Sequence, residues 1–381
     1  MILRGVRVLG AEGLSAPHDM EVGARGGPGT IDASGCILSP GWVDLHAHLR
    51  DPGFPEKETL ASAARSAAAG GLTHVVAMAN TRPVTDDPGL LHAQVARAAG
   101  LSIRVGFVGA LTQGLEGRQL TDPIALKEAG AVALSDDGRH AMSPPTLELG
   151  LWRAAEAGLP VLVHAQYETS ERSAVDEACA THDAIEALRR VPGARLHLQH
   201  VSTRLAVRLI REAKAESLPV TAEATPHHLS LTAEDVERIG PEAAVNPPLR
   251  TALDREALLE GLLDGTIDAI ATDHAPHERE AKLNGAYGFH GFETVLGVVL
   301  GLGLPWEAVY RACVTRPSEV LGVSHEDDWI LIDPHARWVV DPDRFQSLGR
   351  NSPFAGWPLR GMVRMTVVGG RVVHEAEVPV G

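Results

Sequence analysis

The sequence predicts an α/β protein, a (β/α)8 barrel of the TIM type with a small β-sandwich domain formed by both termini. Three observations support this prediction. Eight short, apolar, β-branched runs alternate with stretches of helical periodicity, which is typical of a parallel sheet covered on both faces. Eight such units match a barrel, which usually needs about 250 residues. Short strand-like segments broken by Gly and Pro occur at both ends of the chain.

The predicted barrel strands are 42–48, 73–80, 103–111, 131–137, 160–166, 195–201, 219–228 and 267–274. Helical segments such as 58–71, 145–159 and 255–265 lie between them, and several close on Gly, as a helix C-cap does. A doubly wound open sheet is the alternative. That fold expects a Gly-rich nucleotide-binding turn after its first strand, and the sequence has HAHLRDPG there instead.

The two ends of the chain, residues 1–37 and 326–381, contain the remaining strand-like pieces, among them ILRGVRVLG, WILIDP and MVRMTVVGGRVVHEAEV. A two-stranded piece is marginal in water because it buries little apolar surface. We therefore expect both ends to pair into one β-sandwich beside a catalytic barrel of residues 38–325.

Composition excludes several functional classes. The net charge of -15 repels polyphosphate, so we expect no nucleic-acid partner. No run approaches 18 apolar residues and the N-terminus lacks a secretion signal, so we expect no membrane partner. The three cysteines are far apart and odd in number, which favours a reducing cytoplasm over a disulfide framework or a zinc–thiolate site.

Five of the eight predicted strands end in residues that we interpret as candidate metal ligands. His46 and His48 form an HxH, and strand periodicity points both imidazoles to the same side. The other strand-end residues of this kind are Asp136, Asp137, His164, His200 and Asp273. Barrel active sites lie where the carboxyl ends of the strands meet. Four imidazoles and two carboxylates are a ligand set for borderline divalent ions, zinc by default, with one or two per subunit and two favoured.

Seven motifs occur in order along the chain: GWVDLHAHLRDPG, MANTRP, SDDG, HVS, TPHH, NPPLR and ATDHAPH. Together they resemble the class I dihydroorotases of the cyclic amidohydrolase superfamily over nearly the whole chain. This resemblance implies reversible cyclisation of N-carbamoyl-L-aspartate to L-dihydroorotate in pyrimidine synthesis, by attack of a metal hydroxide on a cyclic amide. The segment between His164 and His200 is shorter than in the family, and HAQYE stands where the family has an HCE-like stretch.

The resemblance also implies a role for each metal ligand. His46 and His48, together with Asp273, would bind one ion. His164 and His200 would bind the second ion. Asp137 would bridge the two ions, with Asp136 as the alternative. Asp273 would in addition be the catalytic base and then the acid.

Substrate contacts follow from the resemblance in the same way: His48, Arg50, Asn80, Asn246, His277, Tyr287 and Gly288. Arg50 and Asn80 would hold the substrate carboxylate, and Asn246 and His277 the ring, with the backbone of 287–288 closing over it. From the residues alone, Arg50 can clamp a carboxylate bidentately, although a surface salt bridge is the plainer interpretation. The asparagines read equally well as turn residues, and His227 and His228 as structural or supporting groups.

The four lysines help to separate the related activities. Hydantoinase-like relatives bridge their metals with a carbamylated lysine, but Lys127 precedes the fourth strand, and Lys57, Lys214 and Lys282 end none of the predicted strands. A carboxylate bridge, and hence a dihydroorotase, is therefore favoured. Two alternatives stay open: another cyclic amidase of hydantoinase or allantoinase type, and a non-catalytic barrel subunit that supports aspartate transcarbamoylase. We expect a homo-oligomer, and a catalytic protein could also associate with that transcarbamoylase.

Overall fold

A computed structural model describes residues 1–24, 29–139, 142–169, 171–324 and 326–376. The chain begins with five short strands: β1 (Ile2–Gly10), β2 (Gly13–Leu14), β3 (His18–Glu21), β4 (Thr30–Asp32) and β5 (Ile37–Pro40). Eight strands follow in the middle of the chain: β6 (Trp42–Ala47), β7 (Leu72–Ala77), β8 (Arg104–Gly109), β9 (Ala131–Ser135), β10 (Val161–Val163), β11 (Leu196–Leu198), β12 (Val220–Ala224) and β13 (Ala269–Ile270). Three strands come last: β14 (Trp329–Val339), β15 (Pro358–Val368) and β16 (Arg371–Glu375).

The α-helices alternate with the middle strands and continue after them: α1 (Leu60–Ala69), α2 (Pro88–Ala98), α3 (Pro123–Ala129), α4 (Pro144–Ala157), α5 (Ala174–Arg189), α6 (Arg204–Ala215), α7 (Pro226–Ser230), α8 (Ala233–Ile239), α9 (Ala252–Asp264), α10 (Arg279–Leu283), α11 (Val295–Gly301), α12 (Trp306–Tyr310) and α13 (Arg316–Leu321). Short polar side chains begin many of them. The hydroxyl of Thr59, for example, accepts from the Ser62 N–H at the start of α1. None of the described helices combines the length and apolarity that crossing a bilayer requires.

Strands β6 to β13 form a parallel barrel in sequence order. The barrel closes between its first and last strands through a bridge from Ala47 to His274, and the His48 N–H donates to the His274 carbonyl at 2.7 Å. Every position of β6 and β7 is buried, because the barrel interior and the helix layer cover both faces of the sheet. The predicted barrel is confirmed.

The predicted seventh strand, 219–228, is too long. Strand β12 ends at Ala224, and the TPHH motif instead opens helix α7. The hydroxyl of Thr225 accepts from the His228 N–H, and Pro226 occupies the first turn, where its missing N–H costs nothing. Local capping chemistry therefore overrides the apolar pattern that suggested a continuing strand.

The strands from both ends of the chain form one second sheet, in the order β16-β15-β14-β5-β1-β2, with β3 and β4 also paired to β1. Its apolar core includes Leu3, Leu38, Leu331 and Val367, so neither end builds that core alone. The predicted β-domain formed by both termini is therefore confirmed. Residues 25–28, 140–141, 170, 325 and 377–381 of the three predicted domain segments lie outside the described residues, and the domain boundaries stay a prediction.

Candidate metal centre and active site

Four of the six predicted ligands surround one point at the carboxyl end of the barrel. One oxygen of Asp137, Oδ2, lies 3.3 Å from His46 Nε2 and 3.4 Å from His48 Nε2. Asp273 Oδ1 lies 3.0 Å from His48 Nε2 and 3.6 Å from His46 Nε2. All four side chains are buried. They come from β6 and the residue that follows it, from the loop after β9 and from the loop after β13, so distant parts of the sequence converge here.

The other oxygen of Asp137 faces a second group. Asp137 Oδ1 lies 3.4 Å from His164 Nδ1 and 3.4 Å from His200 Nε2, and these two nitrogens are 2.8 Å apart. His164 and His200 follow β10 and β11. The two groups therefore share Asp137 and nothing else, with one carboxylate oxygen turned to each. This is the geometry that a bridging ligand requires.

The distances fit divalent ions. Ligand atoms about 2.0–2.1 Å from a tetrahedral ion lie about 3.3–3.4 Å from one another. The separations within both groups cluster around that value. His46 Nε2 and Asp137 Oδ1 are also buried without a hydrogen-bond partner, an arrangement that is costly unless something else satisfies them. Two sets of residues could hold an ion: His46, His48 and Asp137, and Asp137, His164 and His200.

Electrostatics favours deprotonated carboxylates in this cluster. Burial alone would raise the pKa of Asp137, but the charge of His46 and the close nitrogens of His164 and His200 hold it well below its usual range. Burial opposes ionisation of Asp273 in the same way, and His46 and His48 lower its pKa. Burial also lowers the pKa of His164, which favours its neutral form, whereas the carboxylates of Asp137, Glu223 and Asp273 raise the pKa of His46 despite its burial, so that this imidazole carries a positive charge where an ion would otherwise lie. Ionised carboxylates and neutral imidazoles are the forms that bind metal.

Backbone strain is concentrated at the same end of the barrel. Arg50, His200 and Asp273 have positive φ values of 61°, 33° and 48°, a region that residues other than glycine seldom adopt. Such strain persists only where the surroundings enforce it, and it is common at functional sites. It also explains why β11 and β13 end before the predicted 201 and 274, since the backbone turns away to aim these side chains inward.

Asp136 is not part of the cluster. Its carboxylate accepts from the N–H of Thr112 at 2.9 Å and from the hydroxyl of the same residue. Burial raises its pKa. Of the two adjacent aspartates, Asp137 is therefore the one that the fold brings to the imidazoles.

Sequence reasoning missed Glu223, which lies on β12. This fully buried carboxylate lies 2.7 Å from His46 Nδ1 and 3.0 Å from His197 Nε2, and it accepts from the His200 N–H at 3.2 Å. Burial alone would raise the pKa of Glu223, but His46 and His197 lower it to about 2. Such a contact fixes the orientation of an imidazole ligand. The available signal was an acidic residue inside the otherwise apolar strand VTAEA.

Most of the predicted substrate contacts lie around the cluster. Asn80 Oδ1 is 2.9 Å from His48 Nδ1, and Asn246 Nδ2 is 3.4 Å from His164 Nε2. Burial lowers the pKa of Arg50 to about 10, well above neutrality, so its guanidinium stays charged. Among the described residues Arg50 has no carboxylate within ion-pair distance.

A second set of predicted contacts forms the rim beside Arg50. His277 Nε2 lies 3.2 Å from Arg50 Nη2 and 2.8 Å from the carbonyl oxygen of Tyr287. Burial, followed by the charges of Arg50 and Lys57, lowers the pKa of His277 to about 3, so the ring is neutral. The side chain of Tyr287 is half exposed, whereas Gly288 is buried. Substrate contacts at these positions stay a prediction.

The remaining candidates take other positions. Lys127 lies in α3, ahead of β9, and the metal-ligand groups of the described residues consist of histidines and aspartates. His228 is buried and contacts the Thr225 hydroxyl at 2.7 Å and the Pro247 carbonyl at 3.1 Å. A cavity of about 660 Å³ lies between the terminal sheet and the opposite end of the barrel, and none of the six predicted ligands lines it. The grouping of the ligand side chains, and not the volume of a cavity, therefore marks the candidate site.

Comparison with known proteins shows which chains this one resembles. The model of a family described as "Dihydro-orotase-like" matches residues 35–197. The chain is 42% identical to a dihydroorotase of Thermus aquaticus, over 99% of this chain and 99% of that protein. It is also 42% identical to a dihydroorotase of Anaeromyxobacter dehalogenans, over 96% of this chain and 90% of that protein.

Solved structures extend the comparison. An L-hydantoinase (dihydropyrimidinase) from Arthrobacter aurescens matches with a TM-score of 0.88 at 26% identity, covering 100% of this chain and 97% of that one. A D-hydantoinase from a Thermus species matches with a TM-score of 0.84 at 20% identity, covering 98% of this chain and 95% of that one. At 20% identity, the second match shows similarity of fold and nothing about function.

Proposed function

The chain belongs to the dihydroorotase family, and from that premise we propose that it converts N-carbamoyl-L-aspartate reversibly into L-dihydroorotate, a step of pyrimidine synthesis. It is a metal-dependent cyclic amidohydrolase. The observation that carries the proposal is the pair of ligand groups joined by Asp137 at the carboxyl end of the barrel. The carboxylate bridge supports assignment to class I, because none of the four lysines occupies that place.

We propose two zinc ions per subunit as the resident metals. His46, His48 and Asp273 would hold one ion, His164 and His200 the other, and Asp137 both. When bound, such ions polarise a carbonyl group and make a water molecule more acidic. A mixed set of imidazole and carboxylate ligands suits zinc better than a hard ion such as magnesium, which prefers oxygen ligands.

Asp273 is the proposed proton carrier. In the hydrolytic direction, water adds across the ring amide: its oxygen bonds to the carbonyl carbon beside the methylene, and the carbon–nitrogen bond breaks. The Asp273 carboxylate accepts a proton from the attacking water and then delivers it to the departing ring nitrogen. The lowered pKa of Asp273 keeps it deprotonated at the start of this sequence. In the biosynthetic direction Asp273 would accept the proton of the ureido nitrogen as that nitrogen attacks the side-chain carboxyl carbon. It would then return this proton to the carboxyl oxygen that leaves as water when the carbon–oxygen bond breaks, with one further proton taken from solvent.

The other residues bind and orient the substrate. Arg50 and Asn80 would hold the carboxylate, which offsets the unfavourable net charge of the protein with a local cation. Asn246 and neutral His277 would contact the ring, and the backbone of Tyr287 and Gly288 would close over it. His48 would contact both metal and substrate.

The decisive experiment combines metal analysis of the purified protein with an assay of dihydroorotate hydrolysis. We expect about two zinc ions per chain and a kcat/KM for dihydroorotate at least a hundredfold above that for hydantoin, allantoin and dihydrouracil. Preference for one of those compounds would contradict the proposal and support another cyclic amidase, the activity named for the hydantoinase structures.

We further propose a cytoplasmic homo-oligomer. Leu149 and Trp152 on α4 are large apolar side chains that are 55% and 45% exposed, which a contact between subunits would cover. A non-catalytic subunit that supports aspartate transcarbamoylase is the second candidate. Such a subunit could lose metal ligands, and all six are present here, so catalysis is favoured. Metal-loaded protein that hydrolyses none of the four compounds but co-elutes with the transcarbamoylase would support that candidate.

A further inference from the structure

Lys282 on α10 is buried completely, which is unusual for a lysine. Its ammonium donates to three backbone carbonyls: Ala244 at 2.6 Å, Gly288 at 2.7 Å and Ala286 at 3.1 Å. An ammonium has three N–H donors, so these bonds satisfy it completely. Among the described residues Lys282 makes no ion pair within 4.0 Å. Burying an ammonium without a contact ion pair is costly, even though the carboxylate of Glu242 lies near enough to favour its charge, and a methionine would fill the same space without that cost.

The three carbonyls belong to two segments at the mouth of the barrel. Ala244 lies two residues before Asn246, and residues 286–288 contain the backbone proposed to close over the substrate. The Gly288 N–H also donates to the Ala244 carbonyl at 3.0 Å, so the two segments meet directly. The ammonium of Lys282 lies at this junction.

Asn351 connects this junction to the rim of the site by hydrogen bonds. Asn351 Nδ2 donates to the Gly288 carbonyl at 3.1 Å, and Asn351 Oδ1 accepts from the His277 N–H at 3.1 Å. Gly288 has a φ of 103°, and a Cβ there would lie 2.5 Å from that of Ala275. The segment can therefore approach the barrel this closely only with glycine at position 288, and the Gly288 carbonyl accepts from both Lys282 and Asn351.

We propose that Lys282 is a positioning residue, whose ammonium holds the segment of Asn246 and the segment of Tyr287 and Gly288 in the geometry that binds the substrate. This inference rests on the proposed function, because it assumes that those segments contact dihydroorotate. Lys282 touches neither the metal ligands nor the substrate. Its loss acts on binding in the ground state and the transition state alike, and therefore on KM more than on kcat.

The test uses the full-length, metal-loaded protein and the variant Lys282→Met, which keeps length and loses all three donors. We expect KM for dihydroorotate to rise at least tenfold, kcat to change less than threefold and the metal content to stay unchanged. Lys214→Met is the matched control, because Lys214 also bonds a carbonyl, that of Gly265, but lies on α6 away from the mouth. It should lower stability and leave KM unchanged.

Chemical rescue separates positioning from simple destabilisation. Lys282→Ala leaves a space that propylammonium, the missing part of the side chain, can fill. Added propylammonium should lower the KM of this variant at least fivefold, and tetramethylammonium, which has no N–H donor, should not. Should Lys282→Met fail to fold, Lys282→Leu, which also lacks all three donors, provides the same comparison. An unchanged KM in any folded variant overturns the inference.

Hydrogen exchange gives a readout that needs no substrate. The Gly288 amide should exchange slowly in the wild-type protein and at least tenfold faster in Lys282→Met, while amides of β7 stay unchanged. Fast exchange at Gly288 in the wild type would overturn the inference whatever the variants do. If the wild type hydrolyses no dihydroorotate yet this exchange pattern is found, the proposed function fails and the positioning role survives.

Discussion

Two adjacent carboxylates, Asp136 and Asp137, show how the surroundings of a residue decide what it can do. Both are buried after β9. Asp136 is bonded to Thr112, and burial raises its pKa. Asp137 faces four imidazoles, and its pKa falls despite the burial. The sequence SDDG offers two equivalent candidates, and only packing distinguishes the bridging ligand from its neighbour.

A substitution at Asp273 tests the proposed proton transfer directly. Asp273→Asn keeps the shape of the side chain but removes the basic oxygen, so we expect kcat to fall at least a thousandfold while the fold survives. Turnover of dihydroorotate and circular dichroism measure the two effects. Asp136→Asn is the matched control, and it should change stability with kcat within threefold of wild type. An Asp273→Asn protein that retains more than a few per cent of activity would remove Asp273 from proton transfer.

Arg50 tests the nature of the substrate. Arg50→Met removes the cation proposed to hold the carboxylate, so KM for dihydroorotate should rise at least tenfold, whereas weak turnover of dihydrouracil, which has no carboxylate, should hardly change. Steady-state kinetics with both compounds measure this difference. Arg153→Met, at an exposed ion pair with Glu156, is the control. Equal effects on both compounds would indicate that Arg50 supports the loop rather than binding an anion.

A substitution at Glu223 tests whether the carboxylate in contact with the His46 imidazole affects the affinity for zinc. Glu223→Gln removes the charge beside His46 Nδ1, and we expect zinc affinity to fall about 10- to 100-fold. Competition with a chromogenic chelator measures this. Asp268→Asn is the control, because Asp268 is equally buried but pairs with Lys214 and Arg316 instead. Unchanged affinity in Glu223→Gln would assign Glu223 a purely structural role.

At the scale of elements, one carboxylate joins three segments. Glu293, just before α11, accepts from the Ser66 hydroxyl on α1 at 2.8 Å and from the Gln346 N–H at 2.7 Å. Burial raises its pKa to about 7 even though these hydrogen bonds lower it. The folded protein therefore binds this proton more tightly than the unfolded chain does, whose glutamate titrates near 4.5.

The contribution of Glu293 to stability should therefore fall as the pH rises. The stabilisation by the proton on Glu293 is complete below pH 4.5 and is lost as the pH rises through about 7, a change of about 3 kcal/mol. Glu293→Gln cannot titrate, so its stability relative to wild type should increase between pH 5 and pH 8. Urea unfolding at both values measures this, with exposed Glu237→Gln on α8 as control. A difference independent of pH would contradict the raised pKa.

The elements also show what the sequence can predict. Eight apolar runs mark the eight barrel strands, because burial on both faces demands apolar side chains throughout. The ends of the strands are harder. At Thr225 a cap starts a helix, and at His200 and Asp273 the backbone takes positive φ values that only the assembled site enforces. Glu223 was missed for a related reason, since its partners come from other strands.

For the whole molecule, the terminal sheet and the barrel are joined by a buried carboxylate. Asp328, just before β14, accepts from Arg104 Nε at the start of β8 at 2.7 Å and from the Gly369 N–H at 2.7 Å. Its side chain is 2% exposed, whereas that of Arg104 is 39% exposed. Both residues lie at the amino end of the barrel, opposite the metal ligands. This contact between the terminal sheet and the barrel and the metal ligands therefore lie at opposite ends of one barrel.

This separation predicts that Asp328→Ala destabilises the protein without altering catalysis. The Gly369 N–H loses its acceptor and Arg104 loses its carboxylate, although the arginine can still be hydrated, so we expect a loss of about 2–4 kcal/mol. Urea midpoints measure the loss, and Glu156→Ala, which breaks an exposed pair, should cost less than 1 kcal/mol. Because strands β6 to β13 carry the ligands at the other end, KM and zinc content should stay unchanged in the folded variant. Loss of zinc in folded Asp328→Ala would show that the terminal sheet controls the geometry of the site as well as the stability of the fold.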